Sequence, residues 1–140
     1  MKLSSEIILL AISSLFLFQS CREEIIPPDN FSGNVNEPQQ LVAQNSYTFI
    51  INADNITIEH SGDTYFNTNS ALILFNITGY EQGTAIFRLL DSSGNIIYTR
   101  ILNSNLDLEE QVLNSAVPSK VQIIFNSFTG KVKLELLPIF

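Results

Sequence analysis

Lys131-Val132-Lys133-Leu134-Glu135-Leu136-Leu137 alternates apolar and charged side chains almost residue by residue. Successive side chains of an extended chain point to opposite faces, so Val132, Leu134 and Leu136 share one side and Lys131, Lys133 and Glu135 the other. The stretch reads as a β-strand with one dry and one wet face.

Working outward, the same β-type chemistry recurs at short intervals. Tyr47 to Ile51, Asn55 to Glu59, Ala71 to Thr78, Thr84 to Leu90, Asn95 to Leu102 and Lys120 to Phe125 are all rich in Ile, Val, Phe, Tyr and Thr. Seven such runs at fairly even spacing predict an all-β, antiparallel β-sandwich over residues 46–140. Ala71 to Ile77 is nearly continuous in apolar residues, as are Ile86, Phe87, Leu89 and Leu90, which points to strands covered on both faces or central in a sheet. Asp91-Ser92-Ser93-Gly94-Asn95 reads as a hairpin loop, with Gly94 free to take positive φ. Asn126 to Gly130 reads as a second loop of that kind. Leu106 to Leu113 is compatible with a short helix, but Leu108, Glu110 and Val112 can equally line a strand, and a strand or irregular crossover is the favoured reading. An eighth strand would make the domain jelly-roll-like; seven would make it immunoglobulin-like.

The amino terminus has a different character. Lys2 supplies a positive start and Ile7 to Phe18 is an apolar run of 12 residues, the arrangement of an export signal. A transmembrane helix needs roughly 20 apolar residues, so this run is too short to span a bilayer. It ends in Gln19-Ser20, and the chain's only cysteine, Cys21, follows at once with Arg22-Glu23-Glu24 behind it.

Leu17-Phe18-Gln19-Ser20-Cys21 resembles the cleavage site of the bacterial lipoprotein signal family, in the looser form of Bacteroidota-type lipoproteins. The family usually has Leu three residues before the cysteine, where this chain has Phe18. The resemblance implies that residues 1–20 are removed and that the Cys21 thiol is acylated. Cys21-Arg22-Glu23-Glu24 is similar to the tetrapeptide that directs such lipoproteins to the outer face of the outer membrane. The implied location is the outer membrane, lipid-anchored and facing the cell exterior. Acylation contributes about 0.8 kcal/mol per buried CH₂, and more than one chain anchors stably. A single cysteine also leaves no internal disulfide available, so the fold must hold by its apolar core.

Residues 21–45 read as the lipidated cysteine and a flexible tether. Pro27, Pro28 and Pro38 interrupt regular structure, and Asp29, Asn30, Ser32, Gly33, Asn34, Asn36, Gln39 and Gln40 offer little to bury. The alternative is that Phe31 or Leu41-Val42 docks on the domain as an extra edge strand. The net charge of −7 survives loss of the signal, which takes Lys2 and Glu6 together. An acidic chain without a Lys/Arg cluster lacks the basic footprint that nucleic-acid binding requires.

Candidate chemistry is sparse, and no catalytic role or cofactor is expected. His60 is the sole histidine, which rules out a histidine-rich metal cluster. Glu59-His60-Ser61-Gly62-Asp63 reads as a loop, and neighbouring positions in sequence are not the geometry of a triad. The oxygen-rich pairs Asp54-Asn55 and Gly62-Asp63 and the Asp91 loop lack the acidic spacing of a twelve-residue calcium loop, so no metal site is assigned. Asn55-Ile56-Thr57 and Asn76-Ile77-Thr78 match the N-glycosylation acceptor, a fortuitous match in a bacterial lipoprotein.

Tyr65, Phe66 and Tyr80 fall beside loop-like segments, where sandwich domains carry binding residues, and exposed rings there could stack on a sugar. The expected function is therefore a tethered binding module for a glycan or protein partner. The alternative is an envelope assembly subunit that pairs through a strand edge, suggested by the apolar terminal residues Leu136, Leu137, Ile139 and Phe140.

Overall fold

A computed structural model describes residues 34–114 and 116–139. The export signal, Cys21 and Arg22-Glu23-Glu24 lie outside the described residues. The described residues form six strands: β1 Gln39–Ala43, β2 Ser46–Asp63, β3 Ala71–Leu90, β4 Ile96–Leu102, β5 Leu106–Leu113 and β6 Lys120–Pro138. All pair antiparallel in the order β1-β2-β6-β3-β4, with β5 also paired to β3.

Fusion of three pairs reduces the seven expected runs to four strands, β2, β3, β4 and β6, and β1 and β5 bring the total to six. Tyr47–Ile51 and Asn55–Glu59 are two halves of β2, Ala71–Thr78 and Thr84–Leu90 two halves of β3, and Lys120–Phe125 and Lys131–Leu137 two halves of β6. Asn126 to Gly130 is accordingly a bulge inside β6 and not a hairpin loop. Each long strand bends in its middle, where the pairing register slips: between Ala53 and Ile58 on β2 and between Thr78 and Thr84 on β3. The bends are built from left-handed residues, namely Asn55 (φ 47°), Gly79 (φ 60°), Gly83 (φ 81°), Ser127 (φ 45°) and Gly130 (φ 152°). Such residues accentuate twist and turn a strand back without ending it.

Two side-chain bonds replace the ladder broken at the β2/β6 bend. The Asn55 N–H donates to Thr129 Oγ1 and the Ser127 N–H donates to Thr57 Oγ1, both at 2.9 Å. On β3, Gly83 lies so close to β6 that a Cβ there would collide with the Ser127 carbonyl.

Bending folds the sheet over itself into two layers, the sandwich expected from the sequence. The first layer holds β1, β5 and the halves of β2, β6 and β3 around Phe49, Leu134 and Phe75, which lie side by side in register. The second holds β4 and the other halves, around Phe125, Ala85 and Phe87. Aromatic rings lock the layers together: Phe49 stacks on Phe125 at 6.2 Å and Phe75 meets Phe87 edge-on at 5.3 Å. Such pairs contribute about 0.5–1.5 kcal/mol each beyond area burial.

Tyr47, Phe49, Ile51, Ile73, Phe75, Ile77, Phe87, Leu89, Ile123, Phe125, Phe128, Leu134 and Leu136 are fully buried between the layers. The apolar runs of β3 reflect a central position, since Ile86, Leu72 and Leu74 on its outer face are only half-buried. The Asp91 hairpin forms as expected. Asp91 N donates to the Asn95 carbonyl, its Oδ1 accepts from the Ser93 and Asn95 amides, and Gly94 takes φ 82°.

Part of the expected tether belongs to the sheet. Gln39–Ala43 forms β1 along the free side of β2, in register from Gln39 opposite Ile50 to Ala43 opposite Ser46. The domain therefore begins before Ser46, and Leu41-Val42 is the extra edge strand. Ser46 to Ala53 has an unpartnered side, and an extended segment entering beside it satisfies those backbone groups.

Candidate interaction site

β1 is held at both ends by asparagines in the left-handed conformation, Asn36 (φ 64°) and Asn45 (φ 56°). Asparagine tolerates that conformation better than most residues because its short amide bonds locally. Asn36 clasps the β2 bend: its Oδ1 accepts from the Asp54 N–H at 2.7 Å and its Nδ2 donates to the Asp54 carbonyl at 3.0 Å. Its own N–H donates to the Asn52 carbonyl at 2.8 Å. At the other end, Asn45 N–H donates to the Tyr65 carbonyl at 3.0 Å, and Asn45 Oδ1 accepts from the Asn67 N–H at 2.9 Å.

Between these clasps every residue of β1 is exposed. By alternation with β2, Leu41 projects from the outer face beside Thr48, while Gln40 and Val42 face the interlayer side beside Phe49 and Tyr47. Leu41 is 71 % exposed, more than Tyr65 at 64 % or Ile101 and Val112 at 61 %.

β1 and the stretch of β2 paired with it are uncharged, and the flanking acids Glu37 and Asp54 lie beyond its amino-terminal end. No residue from Pro38 to Ala53 is charged. Beneath the edge, the buried Tyr47 hydroxyl donates to Gln40 Oε1 at 3.3 Å, and burial pushes its pKa up to about 12. His60 packs against the Phe49 ring at 5.1 Å, and burial lowers its pKa, which favours the neutral imidazole. Gly62 gives Gln40 and Tyr47 their room, since a Cβ there would press on both side chains.

Other edges carry charge. β4 has Arg100, β5 has Asp107, Glu109 and Glu110, and the second-layer edge of β2 has Glu59 and Asp63. Among the described edges, β1 alone lacks the charged residues that usually keep a free edge from pairing.

The residues singled out in the sequence are not brought together. Tyr65 is 64 % exposed and flanks the end of β1 through a parallel bridge with Gln44. Phe66, next to it, is buried in the core. Tyr80 sits at the bend of β3, at the opposite end of the layers, where its ring packs on Phe128 at 5.8 Å and its hydroxyl donates to the Gly83 carbonyl at 2.9 Å. A stacking platform for a sugar would thus rest on Tyr65 alone.

Glu59 to Asp63 is strand and not loop. His60 faces inward in phase with Ile56 and Ile58, whereas Ser61 and Asp63 lie on the outer face, so these three side chains do not converge. Asp63 pairs with Lys120 at 3.7 Å. Among the described residues no three His, Cys, Asp or Glu side chains are grouped to hold a metal ion.

No family model matches the sequence, and no curated protein matches it. Among solved structures, the infectious bursal disease virus VP2 subviral particle is similar at 10 % identity and a TM-score of 0.32, over 73 % of this chain. The structure of the Gx strain of that virus is similar at 11 % identity, with the same TM-score and coverage. The chain spans about a third of the length of both. At that level of similarity the likeness says nothing about function.

Proposed function

We propose that the protein is a lipid-anchored outer-membrane lipoprotein, facing the cell exterior, whose β-sandwich is an interaction module for a protein partner at the β1 edge. The observation that carries this reading is β1 itself: a wholly exposed, uncharged edge strand fixed at both ends. A free edge offers its backbone N–H and C=O groups to an extended segment of another protein, which adds to the sheet as one more strand. Tyr65 beside the end of β1 adds an exposed aromatic of the kind enriched in protein interfaces.

Anchoring at Cys21 follows from the lipoprotein resemblance, and Arg22-Glu23-Glu24 supplies the surface address. Pro38 lies just ahead of β1, so the edge lies close in sequence to the anchored end of the chain.

Two measurements test the reading. Cys21→Ala should release the protein from the membrane fraction, and retention there would overturn the anchor. Protease added to intact cells should digest the domain; persistent protection would place it on the periplasmic side.

A further inference from the structure

We infer that the occupant of the β1 edge is a second copy of this chain, paired antiparallel about a two-fold axis near Leu41. The inference rests on the reading of β1 as an interaction edge and names the partner. Antiparallel self-pairing centred on Leu41 sets Leu41 against Leu41, Gln40 against Val42 and Gln39 against Ala43. Leu41 and its mate lie on the outer face and cover each other, which gives the exposed leucine an apolar neighbour. The two first layers become one continuous sheet, with the free edges of both copies paired. A two-fold contact of this kind is closed, since it consumes both β1 edges and leaves none for a third copy.

A net charge of −7 on each copy would ordinarily oppose self-association, but the placement of the charges removes the objection. In the first layer, Asp54 lies at the β2 bend, beyond the amino-terminal end of β1, and the nearest strand carrying charge within its paired residues is β6, two strands from β1, with Lys131, Lys133 and Glu135. Across the pair, β6 and its mate are five strand spacings apart, or roughly 24 Å at about 4.8 Å each. That exceeds the screening length of about 8 Å at physiological salt. Glu37, just ahead of β1, lies at opposite ends of an antiparallel pair; eight residues at about 3.4 Å separate it from its mate by roughly 27 Å. Glu59 and Asp63 lie on the outer face of the second layer, turned away from β1. The same edge would meet like charges at β5, where Asp107, Glu109 and Glu110 crowd one strand.

A five-residue strand contact is smaller than the about 1,200–2,000 Å² of a standard interface, so the pair is weak in dilute solution. Copies anchored to one membrane meet at a raised effective concentration. The test therefore uses the full chain in the cells that make it. A photo-crosslinking amino acid is placed at Leu41 and, as control, at Ile101 on β4, which is 61 % exposed. The adducts are identified by mass spectrometry.

Self-pairing predicts a product of twice the protein's mass, containing this chain alone, from the probe at Leu41 and its absence from the probe at Ile101. Leu41 adducts to a different polypeptide only would overturn self-pairing and leave the edge reading standing. Loss of all adducts at Leu41 would overturn both. Equal homodimer yield from the two positions would reduce the contact to collision and overturn self-pairing.

Discussion

Arg100 on β4 and Glu109 on β5 form a two-pronged ion pair, in which Nη1 donates to Oε1 and Nη2 to Oε2, each at 2.6 Å. The two strands are not paired with each other; each is bonded to a different half of β3. The pair therefore closes the side of the sandwich opposite β1, where the two layers would otherwise gape. Arg100 also lies over the Phe75 ring at 5.2 Å, and Gln111 Nε2 donates to Glu109 at 3.2 Å. The Glu109 carboxylate raises the Arg100 pKa further by accepting its hydrogen bonds.

Glu109→Gln keeps the shape and removes the charge. Half-buried charged hydrogen bonds of this kind contribute about 1.5–3 kcal/mol, and Arg100 would be left without its counter-charge. Urea unfolding of the variant should show a lower midpoint with an unchanged slope. An unchanged midpoint would mean that the seam does not hold the layers together.

Gly83 and Gly79 separate two costs at one bend. Both have positive φ, but a Cβ at Gly79 meets nothing within 4 Å, whereas one at Gly83 strikes the Ser127 backbone. Gly79→Ala should cost about 1 kcal/mol from conformation alone. Gly83→Ala should cost clearly more, since backbone must shift as well. Equal losses in thermal denaturation would contradict the close approach of β3 and β6 at the bend.

His60 makes stability depend on pH. Burial lowers its folded-state pKa from the ordinary histidine value of about 6.5, so the folded protein binds the proton less readily than the unfolded chain does. The stabilisation is complete above about 6.5 and is lost as pH falls through the folded value. Urea midpoints should fall between pH 7.5 and 5, and His60→Phe should flatten that part of the profile. A profile unchanged by the substitution would place the loss elsewhere. Asp91 acts lower on the scale: its bonds from Asn95 depress its pKa, so its contribution holds above about pH 4 and fades in more acid solution.

Asn36→Ala removes both bonds to Asp54 and leaves a left-handed conformation that alanine resists. Hydrogen exchange in β1 should accelerate, while the core strand β6 keeps its protection. Uniform acceleration across both would show that β1 opens only with the whole domain.

Much of this architecture was legible in the sequence, and the exceptions have physical causes. The alternation of Val132, Leu134 and Leu136, the apolar runs of β3 and the Asp91 turn are local signals, and they mark strands and a hairpin where these occur. The fusion of runs was not legible because left-handed Asn55, Gly83 and Gly130 look the same in a loop as in a bulge. Whether pairing continues past them depends on the neighbouring strand. β1 is legible only as an alternative, since Leu41-Val42 is a brief apolar signal among amides. His60 could have been placed: Ile56, Ile58 and His60 keep strict alternation, which continues the strand through what reads as a polar loop.

The candidate site was less visible than the fold. An edge strand is defined by what fails to pair with it, and no local pattern records that. Tyr65 and Phe66 differ in fate for the same reason: adjacent strand-like positions face opposite ways, and only the packing tells which ring is buried. The Arg100–Glu109 seam joins strands that the sequence does not reveal as neighbours across the layers.

The most direct test places a photo-crosslinking amino acid at Gln39 in intact cells and combines it with Leu41→Lys or with Ile101→Lys. Both positions are exposed, so neither substitution should disturb folding, but only the first puts a charge on β1. The chain with the probe alone and the chain that adds Ile101→Lys should give the crosslinked homodimer, and Leu41→Lys should leave the monomer. A Leu41→Lys protein that crosslinks as well as the others, or a chain with the probe alone that gives no homodimer on the membrane, would contradict pairing at the β1 edge.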